Sequence, residues 1–128
     1  MRKATSGRAH ASVAAWATSV PADSLYLSAV TLFELELGVL RMERRDAAQA
    51  MMLRQWLSGW VLPAFAGRIL PVDAPIAIRA ACLHVPDPRG HSDAMIASTA
   101  WVRRLTVVTR NVADFKALGV EVLNPFGK

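Results

Sequence analysis

The chain has 128 residues, 53% of them hydrophobic, which suits one domain with its own core, yet it contains no apolar run of the roughly 18 residues that a membrane span needs. Fifteen Lys and Arg against ten Asp and Glu give a net charge of +5, which favours polyanionic partners such as nucleic acids. A single cysteine, Cys82, excludes an intramolecular disulfide and a cysteine-rich metal site. We expect Cys82 to be a buried, inert thiol, and the cytoplasm to be the location because no apolar signal segment follows the basic N-terminus.

Helix and strand patterns alternate along most of the chain. In chain order they predict helix 10–20, strand 25–30, helices 32–45 and 46–63, strand 68–72, helices 74–85 and 93–105, strand 106–109, helix 114–119 and strand 120–125. The predicted strands are continuous apolar runs, which is typical of parallel strands covered on both faces. The sequence therefore predicts a single α/β domain with a parallel sheet.

Residues that begin and end helices place these elements. Thr31 is the expected N-cap of the helix 32–45, with Glu34 in the third position as in a capping box. Ser92 is the expected N-cap of the helix that starts at Asp93. Gly59 and Pro63 are expected to end the helix 46–63.

Three acids, Glu34, Asp93 and Asp114, share one context, because each lies in the first turn of a predicted helix near a strand end or a polar loop. Each acid also has a structural explanation: Glu34 in a capping box, Asp93 at the positive end of the helix dipole, and Asp114 as a helix cap. Gly38 shares the helical face of Glu34 and predicts a close approach by another backbone. Small residues after Asp93 predict that its helix lies close to the sheet.

Carboxylates gathered at one sheet edge repel one another unless a cation holds them. Oxygen ligands without histidine or thiol partners select Mg²⁺ or Mn²⁺. Such ions bind phosphate oxygens and activate water for displacement at phosphorus. An acidic metal pocket on a basic protein is therefore a coherent design for a nuclease.

The segments SAVTLFELELGVL (28–40), SDAMIASTAWVRRLTVVTRNVADF (92–115) and GVEVLNPF (119–126) resemble the PIN-domain ribonucleases, specifically the VapC-like toxins of bacterial toxin–antitoxin pairs. The resemblance implies a three-layer α/β/α domain over residues 1–128, Mg²⁺-dependent cleavage of RNA, inhibition by a bound antitoxin, and a homodimer or toxin–antitoxin hetero-oligomer without membrane association.

The resemblance also implies roles for particular residues. Glu34 matches the acid of the family's E-x-x-x-G motif, Asp93 the acid of D-A-x-I-A, and Asp114 the acid of T-R-N-x-x-D-F, so these three are the expected catalytic and metal-binding residues. Thr109 and Asn111 fall where the family orients acids and waters. Arg110 either contacts phosphate or pairs with the acids.

The chain departs from the family pattern at its N-terminus. The family begins with a central strand that ends in an aspartate, whereas MRKATS resembles the interior of the helix that follows that strand. Loss of the central strand is expected to separate strands 25–30 and 68–72 from strands 106–109 and 120–125, and to expose apolar edges. Either Met1 is internal to the natural reading frame, or the chain is a truncated, catalytically inactive module that binds antitoxin or nucleic acid.

One apolar group on the helices between residues 32 and 62 has two interpretations: part of the core, or a surface for a second subunit or an antitoxin. Its members are Met42, Met51, Met52, Trp56 and Trp60.

Overall fold

The computed structural model describes residues 20–124, so the helix expected over residues 10–20 lies outside the described residues except for Val20. The elements follow the predicted order: a short 3₁₀ helix Ala22–Ser24, then β1 Leu27–Ser28, α1 Ala29–Glu43, α2 Ala47–Trp56, β2 Ile69–Leu70, α3 Ala74–Cys82, α4 His91–Arg103, β3 Val107–Val108, α5 Val112–Lys116 and β4 Val122–Leu123.

The four strands form two separate parallel pairs within residues 20–124. β1 pairs with β2, and β3 pairs with β4. The predicted parallel α/β architecture is confirmed, and so is the expected separation of the first two strands from the last two. Each strand is two residues long, shorter than predicted, because each pairs with one neighbour in the described part of the chain.

The start of α1 differs from the prediction. Ser28 is the N-cap, and its Oγ accepts a hydrogen bond from the Val30 N–H at 3.0 Å. Thr31 is therefore a buried residue of the first turn instead of the cap. Glu34 lies one turn further in and takes no part in a capping box. Both Ser28 and Thr31 have the chemistry of a cap, but β1 ends at Ser28, so the helix begins at Ala29.

Two other predicted caps are also wrong. α4 begins at His91 with Gly90 in the N-cap position and no side-chain cap, so Ser92 is already inside the helix. α5 begins at Val112, so Asp114 is the third helical residue and not the cap. Both helices start earlier than expected because backbone geometry, without a capping side chain, is sufficient at these ends.

The helix after Asp46 does not end at Gly59. It widens at Leu57–Val61 into a π-helical turn, in which the N–H of Leu62 bonds to the Leu57 carbonyl, and finishes with a short turn, Leu62–Ala64. The wider turn directs both Leu57 and Val61 into the core, where they are buried. Among residues 20–124, a Cβ at Gly38 of α1 would meet no atom within 4 Å. The predicted close backbone approach at Gly38 is therefore not made by the described part of the chain.

Two apolar clusters stabilise the fold, one for each strand pair. The first contains Leu27, Val39, Leu57, Val61 and Phe65. The second contains Ile96, Ala97, Ala100, Val107, Phe115 and Leu118. Contacts between α1 and α4, together with α3 packed on α4, join the two halves.

Two smaller expectations can be compared with the structure. Cys82 is exposed at the end of α3, so the expected burial of its thiol is wrong. Across residues 20–124, no helix is long and apolar enough to cross a membrane.

Candidate functional site

Glu34 lies on the second turn of α1, which starts where β1 ends. Its side chain is half-buried. One turn earlier is Thr31, which shares its face of the helix because residues three apart are neighbours. The Thr31 hydroxyl is buried and has no hydrogen-bond partner among the residues that the structure describes. The carboxyl end of β1 therefore opens onto a helix face that carries a carboxylate and a buried hydroxyl.

Asp93 is the third residue of α4 and is also half-buried. Gly90 adjoins this side chain, since a Cβ there would lie 3.8 Å from Asp93 Oδ2. The rest of α4 is packed closely, since every residue from Ile96 to Ala100 is buried. The predicted tight placement of this helix is confirmed, and it holds Asp93 on a rigid element.

Thr109, at the end of β3, is fully buried and orders the turn that follows. Its N–H donates to the Leu123 carbonyl at 3.0 Å, and its Oγ1 accepts the Asn111 N–H at 3.1 Å. α5 begins directly after this turn. Asp114 is exposed, whereas its neighbour Phe115 is completely buried in the second apolar cluster. Phe115 thus anchors α5 with Asp114 on its outer side.

The elements that carry these residues adjoin one another. α1 contacts α4, and α4 contacts β3. Within residues 20–124, no three His, Cys, Asp or Glu side chains are arranged to hold a metal ion. The donor set consists of carboxylates and the hydroxyl of Thr31, which has no hydrogen-bond partner among residues 20–124. This chemistry fits a hard divalent cation. The residues suit Mg²⁺ by donor type.

Glu36, two residues after Glu34 on α1, has a defined partner. Arg54 of α2 donates two hydrogen bonds to its carboxylate, at 2.7 and 2.6 Å. These hydrogen bonds hold the pKa of Glu36 below its usual value. Glu36 therefore joins α1 to α2 and is a poor candidate for a metal ligand, in agreement with its placement away from Glu34.

Arg110 is exposed in the turn between β3 and α5, beside Asn111. The sequence did not indicate two buried hydroxyls on α1 and α4, those of Thr31 and Ser98, whose oxygens have no hydrogen-bond partner among residues 20–124. Each could have been predicted from the sequence as a small polar residue on an otherwise apolar face of a helix.

The chain is similar to known proteins over most of its length. A profile of the PIN domain matches residues 3–120. Toxin FitB of Neisseria gonorrhoeae is 39% identical over 119 residues, covering 89% of this chain and 84% of FitB. The VapC ribonuclease Y4jK of Sinorhizobium fredii is 35% identical over 119 residues with the same two coverages.

The fold is similar to that of solved structures as well. The crystal structure of FitAcB from Neisseria gonorrhoeae matches with a TM-score of 0.81 and 36% identity, covering 99% of this chain and 91% of that one. The structure of FitAB bound to an IR36 DNA fragment matches with a TM-score of 0.80 and 34% identity, covering 91% of this chain and 84% of that one. The chain belongs to the PIN-domain family and is a VapC-like member of it.

Proposed function

We propose that the protein is the toxin of a toxin–antitoxin pair and acts as a metal-dependent endoribonuclease that hydrolyses RNA phosphodiester bonds. The observation that carries this proposal is the match of nearly the whole chain to the PIN domain, with 39% identity to a curated toxin, FitB. The similarity to the VapC ribonuclease Y4jK supports RNA as the substrate. The net charge of +5 supports a polyanionic substrate in the same way.

In this proposal Glu34, Asp93 and Asp114 are the catalytic residues and bind Mg²⁺ or Mn²⁺. Held by these three carboxylates, the metal would activate a water as the nucleophile and would neutralise charge on the phosphate. Thr109 supports the site because its Oγ1 accepts a hydrogen bond from the Asn111 N–H at 3.1 Å. This hydrogen bond sets the start of α5 and hence the position of Asp114. Arg110, exposed in the same turn, contacts the substrate phosphates through its guanidinium.

The proposed partner is a cognate antitoxin, in a homodimer or a toxin–antitoxin hetero-oligomer. The relative FitAB, solved on a DNA fragment, supports assembly of this kind and DNA binding by the complex. An apolar surface on α2 and the π-helical turn supports a protein partner, because Met51, Met52 and Trp60 are more than 60% exposed. Trp56 stacks on Trp60 with ring centroids 6.5 Å apart, which gives this surface an aromatic centre.

We place the protein in the cytoplasm and propose that residues 1–128 form one PIN-like domain.

The test is an RNA cleavage assay on the natural gene product, purified from its own locus. Cleavage is expected with Mg²⁺ or Mn²⁺, is expected to stop with EDTA, and is expected to return when the metal is restored. Addition of the cognate antitoxin is expected to suppress it. Cleavage that persists in EDTA contradicts the metal-dependent mechanism. A complete absence of cleavage, with antitoxin binding retained, favours the inactive binding module.

A further inference from the structure

One face of α1 runs from Glu34 towards the C-terminal end of the helix. At about 100° per residue, Gly38 and Arg41 lie within about 40° of Glu34 around the helix, and Arg41 is about 10 Å further along its axis. Gly38 and Arg41 are both exposed, and Glu34 is half-buried. The candidate acid is therefore continuous with an accessible surface that ends in a cation.

Gly38 leaves this surface open. Glycine is less favourable than alanine in the interior of a helix, so its place in the middle of α1 lowers the stability of that helix. The described packing gives no reason for it, because a Cβ at Gly38 would meet no atom of residues 20–124 within 4 Å. The absence of a side chain leaves space beside Glu34 in which an extended ligand can contact the backbone of the helix.

Arg41 supplies the positive charge at the far end of this surface. Among residues 20–124 its side chain makes no hydrogen bond and no ion pair, whereas Arg54 is held by the Glu36 carboxylate at 2.6 Å. An exposed guanidinium of this kind is suited to a phosphate group, to which it can donate two parallel hydrogen bonds. The structural alternative is that Arg41 only stabilises the C-terminal end of the helix dipole.

We propose that this face of α1 is the path of the substrate: a single-stranded segment of RNA crosses α1 at Gly38, and Arg41 donates hydrogen bonds to one of its phosphates. The choice of RNA rests on the proposed function, to which this path adds the direction in which the strand leaves the candidate site. The phosphate at Arg41 lies about 10 Å from Glu34 along the helix, so it is not the one that is cleaved. Arg41 binds the substrate and takes no part in the chemistry.

Binding of a fluorescein-labelled single-stranded RNA of mixed sequence to the natural gene product, in EDTA, tests this path without catalysis. Gly38→Gln fills the space with a polar side chain and is expected to weaken binding of this RNA by at least about fivefold. Its melting temperature is expected to stay the same or rise, because glutamine is the better helix former and the position is open. A lower melting temperature would mean that another part of the protein covers Gly38, and would overturn the proposal. Unchanged affinity for the RNA would overturn it as well.

Arg41→Gln is expected to weaken binding of the same RNA by at least about fivefold, and to reduce the slope of log affinity against log salt by about 0.7, the value for one phosphate of a single strand. Arg44→Gln is the matched control, because Arg44 is exposed at the same helix end but lies about 80° around the helix from Glu34. Its affinity is expected to stay within about twofold of the unchanged protein. Equal losses for the two arginines would mean a general attraction to positive charge and would overturn the proposal.

Two further outcomes separate this inference from its alternatives. If both the Gly38→Gln and Arg41→Gln proteins bind the RNA normally but lose affinity for the cognate antitoxin, this face belongs to the antitoxin and the RNA path is overturned. Cleavage of the same RNA by the unchanged protein with Mg²⁺ is followed separately. If RNA binding depends on Gly38 and Arg41 while cleavage is absent, the proposed function fails and this inference stands.

Discussion

Replacement of Asp93 by asparagine in the natural gene product is expected to lower the rate of metal-dependent RNA cleavage by at least about a hundredfold. The substitution keeps the size of the side chain and removes the charge that the metal requires. Asp93 lies at the third position of a closely packed helix, so the loss is expected without a rearrangement of α4. The rate is measured on a labelled RNA under saturating Mg²⁺.

A matched control for this variant is Asp23→Asn. Asp23 is exposed in the short 3₁₀ helix before β1, and it lies outside the candidate site. Its cleavage rate is expected to stay within about twofold of the unchanged protein. Melting temperatures of both variants report whether the fold survives. An Asp93→Asn protein that melts normally and still cleaves at the original rate contradicts the proposed role.

Replacement of Phe115 by alanine is expected to lower the free energy of unfolding by about 3–5 kcal/mol. Phe115 has no exposed surface and fills the second apolar cluster beneath α5. Removal of the ring leaves a cavity that the cluster, built on α4, can close only in part. Since domains of this size are stable by about 5–15 kcal/mol, this loss is a large share of the total.

Phe33→Ala is the matched control, because the same side chain is removed from a position that is 61% exposed. Its expected effect on the free energy of unfolding is at most about 0.5 kcal/mol. Denaturant titration of both variants gives the comparison. Equal losses for the two phenylalanines would mean that α5 is not anchored on the second cluster.

The order of elements could be predicted from the sequence, whereas their ends could not. Apolar runs such as TVVT identify strands. Which of their residues form strand hydrogen bonds depends on the neighbouring strands, and the tertiary fold decides where those lie. The N-terminal ends of helices also depend on the tertiary fold. Ser28 and Thr31 have equal capping chemistry, and the end of β1 decides in favour of Ser28. The π-helical turn at Leu57–Val61 follows from core packing, and Gly59 is the one residue in it that indicates an irregular helix from the sequence.

In the candidate site, too, one part could be predicted from the sequence and another could not. Local helix and strand patterns predict that Glu34 follows β1, that Asp114 follows β3 and that Asp93 lies at the start of a helix. Their mutual distances depend on how the two strand pairs are placed, and that relation lies in long-range packing. The split of the described strands into two pairs was expected from the family resemblance. The buried hydroxyls of Thr31 and Ser98 became visible only in three dimensions.

In the proposed function, Glu34, Asp93 and Asp114 share one metal site. The most direct test is a Mn²⁺ titration of the natural gene product and of three single variants, Glu34→Gln, Asp93→Asn and Asp114→Asn, with Asp23→Asn as control. We predict that each of the three variants weakens Mn²⁺ binding by at least about tenfold and that the control binds normally. Unchanged Mn²⁺ binding in any one of the three, in a correctly folded protein, would contradict the claim.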